Sequence, residues 1–339
     1  MLDQLLIEQE REELPLSSLQ AQHNLAGMIG SSPKFVEVIQ SALMIAPLEV
    51  NTLLLGETGT GKSQLARMIH NNSHHSEGEF VENNCAALPD SLIESELFCA
   101  GAGAHSSATK AMSGKISAAE NGTLFLDEIG ELLLESQAKL LQFIQSGQYY
   151  PLGSSKLNTS NARLVFATNQ NLVEMIHAGK FREDLYHRIN TFELNLPNLS
   201  QRKTDIALLL EHFLAEAISK NKLPQLAANP DLVRHLAESE IPGNIQGLQN
   251  LVERACIKAT VEKSGELRTE HFPALAAPTG QSSSDGGKDF HAATLTFQQD
   301  LLTQKLAATS WNISRTAREL NLSRSHVHNL IRQFDLARH

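Results

Sequence analysis

The chemistry in this sequence centres on Gly56-Glu57-Thr58-Gly59-Thr60-Gly61-Lys62-Ser63. The apolar run Thr52-Leu53-Leu54-Leu55 precedes it, and Gln64–His70 can continue it as a helix. Strand, glycine-rich loop and helix in that order form the setting of a phosphate-binding loop. Gly59 and Gly61 allow the backbone to bend so that successive N–H groups face phosphate oxygens. Lys62 is expected to reach the β and γ phosphates and Ser63 to ligate magnesium, beside the positive end of the following helix. A second acidic centre lies in Gly122-Thr123-Leu124-Phe125-Leu126-Asp127-Glu128. A short apolar run ending in two carboxylates gives Asp127 a magnesium role and Glu128 the task of polarising an attacking water. Asn169, after the apolar stretch 162–168, is placed to meet a γ-phosphate or that water.

These residues must be carried by a scaffold, and the alternation of helical stretches with short apolar strands from 25 to 272 predicts an α/β domain with a mainly parallel sheet. The strands expected are 51–55, 79–84, 122–128 and 162–168. At 339 residues the chain exceeds one compact core, and its 41 % hydrophobic and 19 % charged content is that of an ordinary globular protein. The three cysteines, Cys85, Cys99 and Cys256, lack metal-binding or paired spacing and read as reduced thiols of a cytoplasmic protein. No apolar run is long enough to span a bilayer, and the acidic N-terminus has no signal-peptide layout, so no membrane partner is expected. His70, His74 and His75 cluster, but nothing nearby completes a metal set, and a polar surface turn is expected there.

The net charge of −10 is unevenly distributed. Residues 291–339 hold Lys305, Arg315, Arg318, Arg324, Arg332 and Arg338 against Asp300, Glu319 and Asp335, a tail of +3 beside a remainder of −13. Residues 276–293 read as a flexible linker. Beyond it, a helix over 294–308 precedes two short helices capped by Ser314 and Ser323, with a turn at Asn321-Leu322. The second would enter a major groove and present Arg324, Ser325, His326, His328, Asn329 and Arg332 to double-stranded DNA.

Taken together, Gly56–Ser63, Asn-Cys-Ala-Ala-Leu-Pro at 84–89, Glu-Ser-Glu-Leu-Phe at 94–98, Gly-Thr-Leu-Phe-Leu-Asp-Glu-Ile-Gly at 122–130, Ala-Thr-Asn at 167–169 and Phe-Arg-Glu-Asp-Leu-Tyr-His-Arg-Ile-Asn at 181–190 resemble one family closely. The chain is similar to the bacterial enhancer-binding proteins, the sigma-54-dependent activators, with a C-terminal helix-turn-helix like that of Fis. The resemblance implies an AAA+ P-loop NTPase with parallel sheet and helical lid, followed by an all-α DNA-binding domain. Its layout would be a lead-in over 1–24, an α/β nucleotide-binding subdomain over 25–198, a lid over 199–275, the linker, and the helix-turn-helix over 294–339.

ATP and magnesium are the implied ligands, and RNA polymerase the implied partner. The tail would pair two copies on a palindromic site, and nucleotide would assemble a hexamer. Asn84 would sense the γ-phosphate through Glu128, Asn169 would be sensor I, and Arg182 and Arg188 would act in trans on a neighbouring subunit's nucleotide. A surface ion pair of Arg182 with Glu183 or Asp184 is the alternative. Residues 1–20 leave no room for a sensory domain, so regulation is expected to come from elsewhere, such as a partner protein, or to be absent.

Two departures from the family pattern matter. Gly103-Ala104-His105-Ser106-Ser107-Ala108 stands where the family carries Gly-Ala-Phe-Thr-Gly-Ala on the loop that touches sigma-54, so weak or absent remodelling is expected. Ile241-Pro242-Gly243-Asn244-Ile245-Gln246-Gly247-Leu248 stands where the family reads Trp-Pro-Gly-Asn-Val-Arg-Glu-Leu. Gln246 replaces the sensor II arginine with an uncharged group, which predicts nucleotide binding with slow hydrolysis. Gly247 is expected to weaken the helix there.

Overall fold

The structure is a computed structural model of the chain. It describes residues 16–87, 90–98, 114–151 and 157–272, together with Leu306, Ile313 and Thr316. Two compact units divide the chain, Met1–Ala277 and Pro278–His339.

The first unit begins with helices α1 (Leu16–Gln22) and α2 (Pro33–Ile45), then strand β1 (Thr52–Leu55) and helix α3 (Lys62–Asn71). Next come β2 (Phe80–Asn84), α4 (Asp90–Phe98), α5 (Lys115–Ala118), β3 (Thr123–Asp127) and α6 (Leu134–Ser146). A two-stranded antiparallel hairpin, β4 (Gln148–Tyr149) and β5 (Asn158–Thr159), leads to β6 (Arg163–Thr168). Helices α7 (Leu172–His177) and α8 (Glu183–Ile189) and strand β7 (Phe192–Asn195) complete the α/β part.

Five strands pair in the order β2-β3-β6-β1-β7, every pair parallel. The central strands are apolar on both faces, as a sheet covered by helices on both sides requires. Successive residues point to opposite faces. Leu54, Phe125 and Val165 therefore join Phe35, Ile39, Leu65 and Ile69 of α2 and α3 in one core. Leu53, Leu124, Leu126 and Phe166 pack on the other face with Ile93, Leu140, Phe143 and Leu185. The edge strand β7 alternates buried and accessible positions. It is the one strand of this five-stranded sheet that the sequence analysis did not anticipate.

Parallel pairing brings every carboxyl end to one edge. Leu55 lies level with Thr168 and Asn195, and Asn84 level with Asp127. The residues that follow these ends, Gly56, Glu128 and Asn169, are therefore delivered to the same edge of the sheet, the usual ligand side of open α/β sheets.

The lid comprises α9 (Ile206–Asn221), α10 (Pro230–Glu238) and α11 (Asn244–Val261), with a short parallel pair, β8 (Ala227–Ala228) and β9 (Glu266–Leu267). Leu210, Leu236, Leu248, Val252, Cys256 and Phe272 form its separate core. Lid and α/β part are joined by a buried polar knot. Asp205, wholly buried, accepts hydrogen bonds from the backbone N–H of Ser31 (2.6 Å) and Ser32 (2.9 Å) and from the Ser32 hydroxyl (2.9 Å). It also pairs with buried Arg202 at 2.9 Å, whose guanidinium lies 3.8 Å from the centre of the Phe35 ring and donates to the Ile29 carbonyl.

In the second unit Leu306, Ile313 and Thr316 are helical, and Leu306 and Thr316 are buried. The expected cap Ser314 lies outside the described residues. The linker falls outside the described residues.

Removing one partner of a buried ion pair strands the other charge and costs about 3–5 kcal/mol. Asp205→Ala is expected to lower stability by roughly that amount in urea denaturation; a loss within measurement error would show that the knot is not holding lid and sheet together.

Candidate functional site at the sheet edge

The phosphate loop leaves β1 and enters α3 with Gly59 at φ +78° and Gly61 at φ +103°, left-handed geometry that favours glycine. A Cβ on Gly59 would fall 2.2 Å from the carbonyl oxygen of Gly243. The Thr60 hydroxyl closes the turn on the Glu57 carbonyl at 2.8 Å. Lys62 is buried, and its Nζ donates to the carbonyls of Gly56 (2.9 Å) and Glu57 (3.3 Å) and lies 3.9 Å from Glu128 Oε1.

Asp127 ends β3, and its Oδ1 accepts the Glu128 N–H at 3.0 Å. Glu128 itself is left-handed at φ +51°, an uncommon conformation for a residue with a side chain, which turns its carboxylate back over the loop. Its Oε2 accepts the Asn169 N–H at 3.2 Å, while Asn169 Nδ2 donates to Thr58 Oγ1 at 2.9 Å. Asn169 thus links the acidic centre to the phosphate loop.

Lys62, Asp127 and Glu128 line one cavity of 770 Å³, within the usual range for small-molecule sites. Thr58–Ser63, Asn84, Asp127 and Glu128 line its sheet side, and Met28, Ile29, Phe213, Ile245 and Gln246 close it from the lead-in and lid. Ser63 and Asp127 line the same space, and their oxygens are a hard pair suited to magnesium, which is commonly held by one or two protein oxygens plus phosphate and water. Gly56, Glu57 and Asn169 do not line this cavity. They face a neighbouring cleft of 940 Å³ beyond the ends of β6, β1 and β7. That cleft is larger but holds neither Lys62 nor the acidic pair, so the phosphate chemistry belongs to the smaller one.

Several expectations change. Asn84 does not hydrogen-bond Glu128 in this conformation: its Oδ1 accepts the N–H of Ala86 at 2.8 Å in a local turn, the usual competitor for an asparagine side chain. Arg182 forms the ion pair set out as the alternative. Its Nε and Nη2 meet the two Asp184 carboxylate oxygens at 3.0 and 2.7 Å, and the guanidinium holds the Asp184 carboxyl below its ordinary pKa. Arg182 N–H is fixed by the buried Gln137 side chain at 2.9 Å. Arg188 is exposed on α8, and among the described residues its side chain has no hydrogen bond or ion pair. Neither arginine lines the chain's own cavity.

His70 is buried, with Nδ1 2.9 Å from Thr123 Oγ1, and desolvation lowers its pKa. It is therefore a core residue and not part of a polar turn, whereas His75 contacts Glu49 at 3.1 Å. Cys85 and Cys256 are buried free thiols, which burial pushes up to about 12 and about 11 respectively.

Gln246 approaches the phosphate loop through its backbone. The Ile245 and Gln246 N–H groups both donate to the Gly59 carbonyl, at 3.0 and 3.3 Å. Asn244, missed by the sequence analysis, is the hub of this contact. It is buried at φ +54°, its Nδ2 donates to Glu57 Oε2 (3.0 Å) and the Thr58 carbonyl (3.1 Å), and its Oδ1 accepts the Leu199 N–H (2.8 Å). Asn198 adds a second donor to Glu57 at 2.9 Å, and these two amides hold the Glu57 carboxyl below its ordinary pKa. Pro-Gly before Asn244 signals a turn into a helix, but nothing local reveals the reach to Glu57.

The stretches His105–Ser107 and Arg324, Ser325, His326, His328, Asn329 and Arg332 lie outside the described residues.

A five-stranded parallel sheet, a phosphate loop at its carboxyl edge and a helical lid on that loop define an AAA+ nucleotide-binding module. Comparison with known proteins extends this assignment. The sigma-54 interaction domain matches residues 28–195, the AAA+ ATPase lid domain 200–288, and the Fis family of bacterial regulatory proteins 296–334. The anaerobic nitric oxide reductase transcription regulator NorR of Aeromonas hydrophila is 38 % identical over 321 residues, covering 91 % of this chain and 63 % of that protein. The regulatory protein LuxO of Vibrio cholerae is 35 % identical over 326 residues, covering 91 % and 61 %. The crystal structure of NtrX from Brucella abortus in complex with ADP superposes with a TM-score of 0.70 at 28 % identity, over 92 % of this chain and 70 % of that one. The chain belongs to the sigma-54-dependent activator family, with an AAA+ module and a Fis-type helix-turn-helix, and it spans less than two thirds of the length of these curated relatives.

Gly247 has a packing role that helix propensity alone did not suggest: a Cβ there would lie 1.9 Å from the Pro242 carbonyl oxygen. Gly247→Ala gains about 1 kcal/mol in propensity but must displace that carbonyl, an overpacking cost of typically 1–3 kcal/mol. Net destabilisation in urea is expected; a more stable variant would show that the turn yields freely.

Proposed function

We propose that this chain is an ATP-binding, sequence-specific DNA-binding transcription regulator whose action on sigma-54 polymerase is weakened. The observation that carries the nucleotide reading is the convergence of Lys62, Asp127 and Glu128 on one lid-covered cavity, with Asn169 tying Glu128 to Thr58 from behind. A triphosphate entering it would meet inward N–H groups of the loop and the helix terminus. Lys62 would exchange its carbonyl partners for phosphate oxygens. Ser63 and Asp127 would hold magnesium, which would supply positive charge to the β and γ phosphates. Glu128 would polarise the attacking water, and Asn169 fixes that carboxylate through its N–H. The Brucella NtrX structures in complex with ADP and with ATP support the choice of nucleotide.

Arg182 and Arg188 complete the site only from a neighbouring subunit, which favours a hexamer with nucleotide. Arg182 must first leave Asp184. The pair is accessible, its side chains 41 % and 48 % exposed, and such surface pairs contribute only about 0–1 kcal/mol. A neighbour's γ-phosphate is a stronger partner for a guanidinium. Gln246 supplies no positive charge, so turnover is slow. The basic tail binds a palindromic site as a dimer, with Arg324, Ser325, His326, His328, Asn329 and Arg332 facing the groove. Among the described residues no helix is long and apolar enough to cross a membrane, and we place the protein in the cytoplasm.

His105, Ser106 and Ser107 remove the aromatic anchor and the flexible glycine from the loop that would press on sigma-54. A fully competent sigma-54 activator is the second reading, favoured by the intact Lys62, Asp127 and Glu128 set. Open-complex formation on a sigma-54 promoter, with purified polymerase and ATP, separates the two. Little open complex is expected from the parent, with a clear gain in a His105→Phe, Ser106→Thr, Ser107→Gly variant. A parent as active as that variant would overturn the weakened-contact reading in favour of the second.

A further inference from the structure

In a phosphate loop the N–H groups face the ligand, so the loop's carbonyls must face something else. Here two of them face the lid. The Gly59 carbonyl accepts the first N–H groups of α11, and the Thr58 carbonyl accepts Asn244 Nδ2. One side chain organises the whole contact. Asn244 takes the Leu199 N–H at the α/β–lid junction, holds Thr58, and donates to Glu57. Glu57 in turn is turned out of the nucleotide cavity toward Asn198, Leu199 and Asn244. A carboxylate left free on this loop would oppose phosphate; anchored here, it points elsewhere.

From this geometry we infer that Asn244 and Glu57 form a latch that sets the phosphate loop through the lid, making both positioning residues for nucleotide. Glu57 therefore acts outside the cavity, even though it belongs to the phosphate-loop motif. The latch makes lid orientation and phosphate-loop shape a single variable, since moving α11 pulls on two loop carbonyls and one loop carboxylate. An amide is needed at 244 because the position must accept from Leu199 and donate to Glu57 and Thr58 at once. An aspartate can accept but cannot donate, and it would face the Glu57 carboxylate.

The inference rests on the nucleotide reading above, so its test includes a readout free of nucleotide. In the full chain, amide hydrogen exchange at Ile245 and Gln246 and the dissociation constant for a fluorescent ATP analogue are measured together. The variants are Asn244→Asp, Glu57→Gln and the pair combined, with Lys62→Ala as the binding control. Losing two hydrogen bonds of ordinary strength corresponds to roughly tenfold. Asn244→Asp is expected to speed exchange at those amides and weaken the analogue by about that factor, with exchange in β1 and β3 unchanged.

In the double variant the glutamine at 57 can accept from Asn198 and donate to the aspartate at 244, so both quantities should return toward the parent. A merely structural role for either residue would not produce that rescue. Equal or additive losses in the double variant would overturn the latch. If the parent binds the analogue no better than Lys62→Ala, the nucleotide reading falls and the exchange rates alone decide on the latch. Should Asn244→Asp fail to fold, Glu57→Ala, altering an exposed side chain, must speed exchange at Ile245 and Gln246; unchanged rates there would also overturn it.

Discussion

The contact on which this molecule turns is the acceptance of two lid N–H groups by the Gly59 carbonyl. It leaves so little room that a methyl group on Gly59 would reach the Gly243 oxygen. The glycine thus serves two demands at once: a left-handed backbone and the close approach of a second element. Because carbonyl and N–H directions are coupled along the chain, holding the outward carbonyls also fixes where the inward N–H groups point. The first turn of a lid helix, whose N–H groups lack partners within the helix, supplies the donors.

That contact depends on two larger arrangements. The parallel register of the sheet brings the phosphate loop, the acidic pair and Asn169 to one edge, as it must when every carboxyl end lies on the same side. The Arg202–Asp205 knot then fixes the start of the lid to the segment before α2. Burial of such a pair is costly unless its remaining hydrogen-bonding capacity is filled, and here serine N–H groups, a hydroxyl and the Phe35 face fill it.

Much of this was legible in the sequence, for identifiable reasons. The central strands are continuous apolar runs, and the phosphate loop and acidic pair sit immediately beyond them, so local pattern and position coincide. The edge strand β7 was missed because a four-residue alternating segment, Phe192–Asn195, carries little signal outside its pairing with β1. Asn198, Asn244, Arg202 and Asp205 were missed because their partners lie far away in sequence: Asn244 meets Glu57 across 187 positions, and Asp205 meets Ser31 across 174. His70 was misjudged because a histidine at a helix end reads as polar until the Phe80 ring and Thr123 enclose it. Arg182 was assigned to a neighbouring subunit by resemblance, while in the single chain the nearest carboxylate, Asp184, takes the guanidinium.

Completion of the nucleotide site between subunits, by arginines that lie off the chain's own cavity, is the proposal most open to direct test. Phosphate release per subunit, measured from ATP across a protein-concentration series with Lys62→Ala as control, tests it most directly. A slow rate that climbs with concentration and vanishes in the control is predicted. A rate per subunit that stays flat with concentration, or that survives loss of Lys62, would contradict the claim.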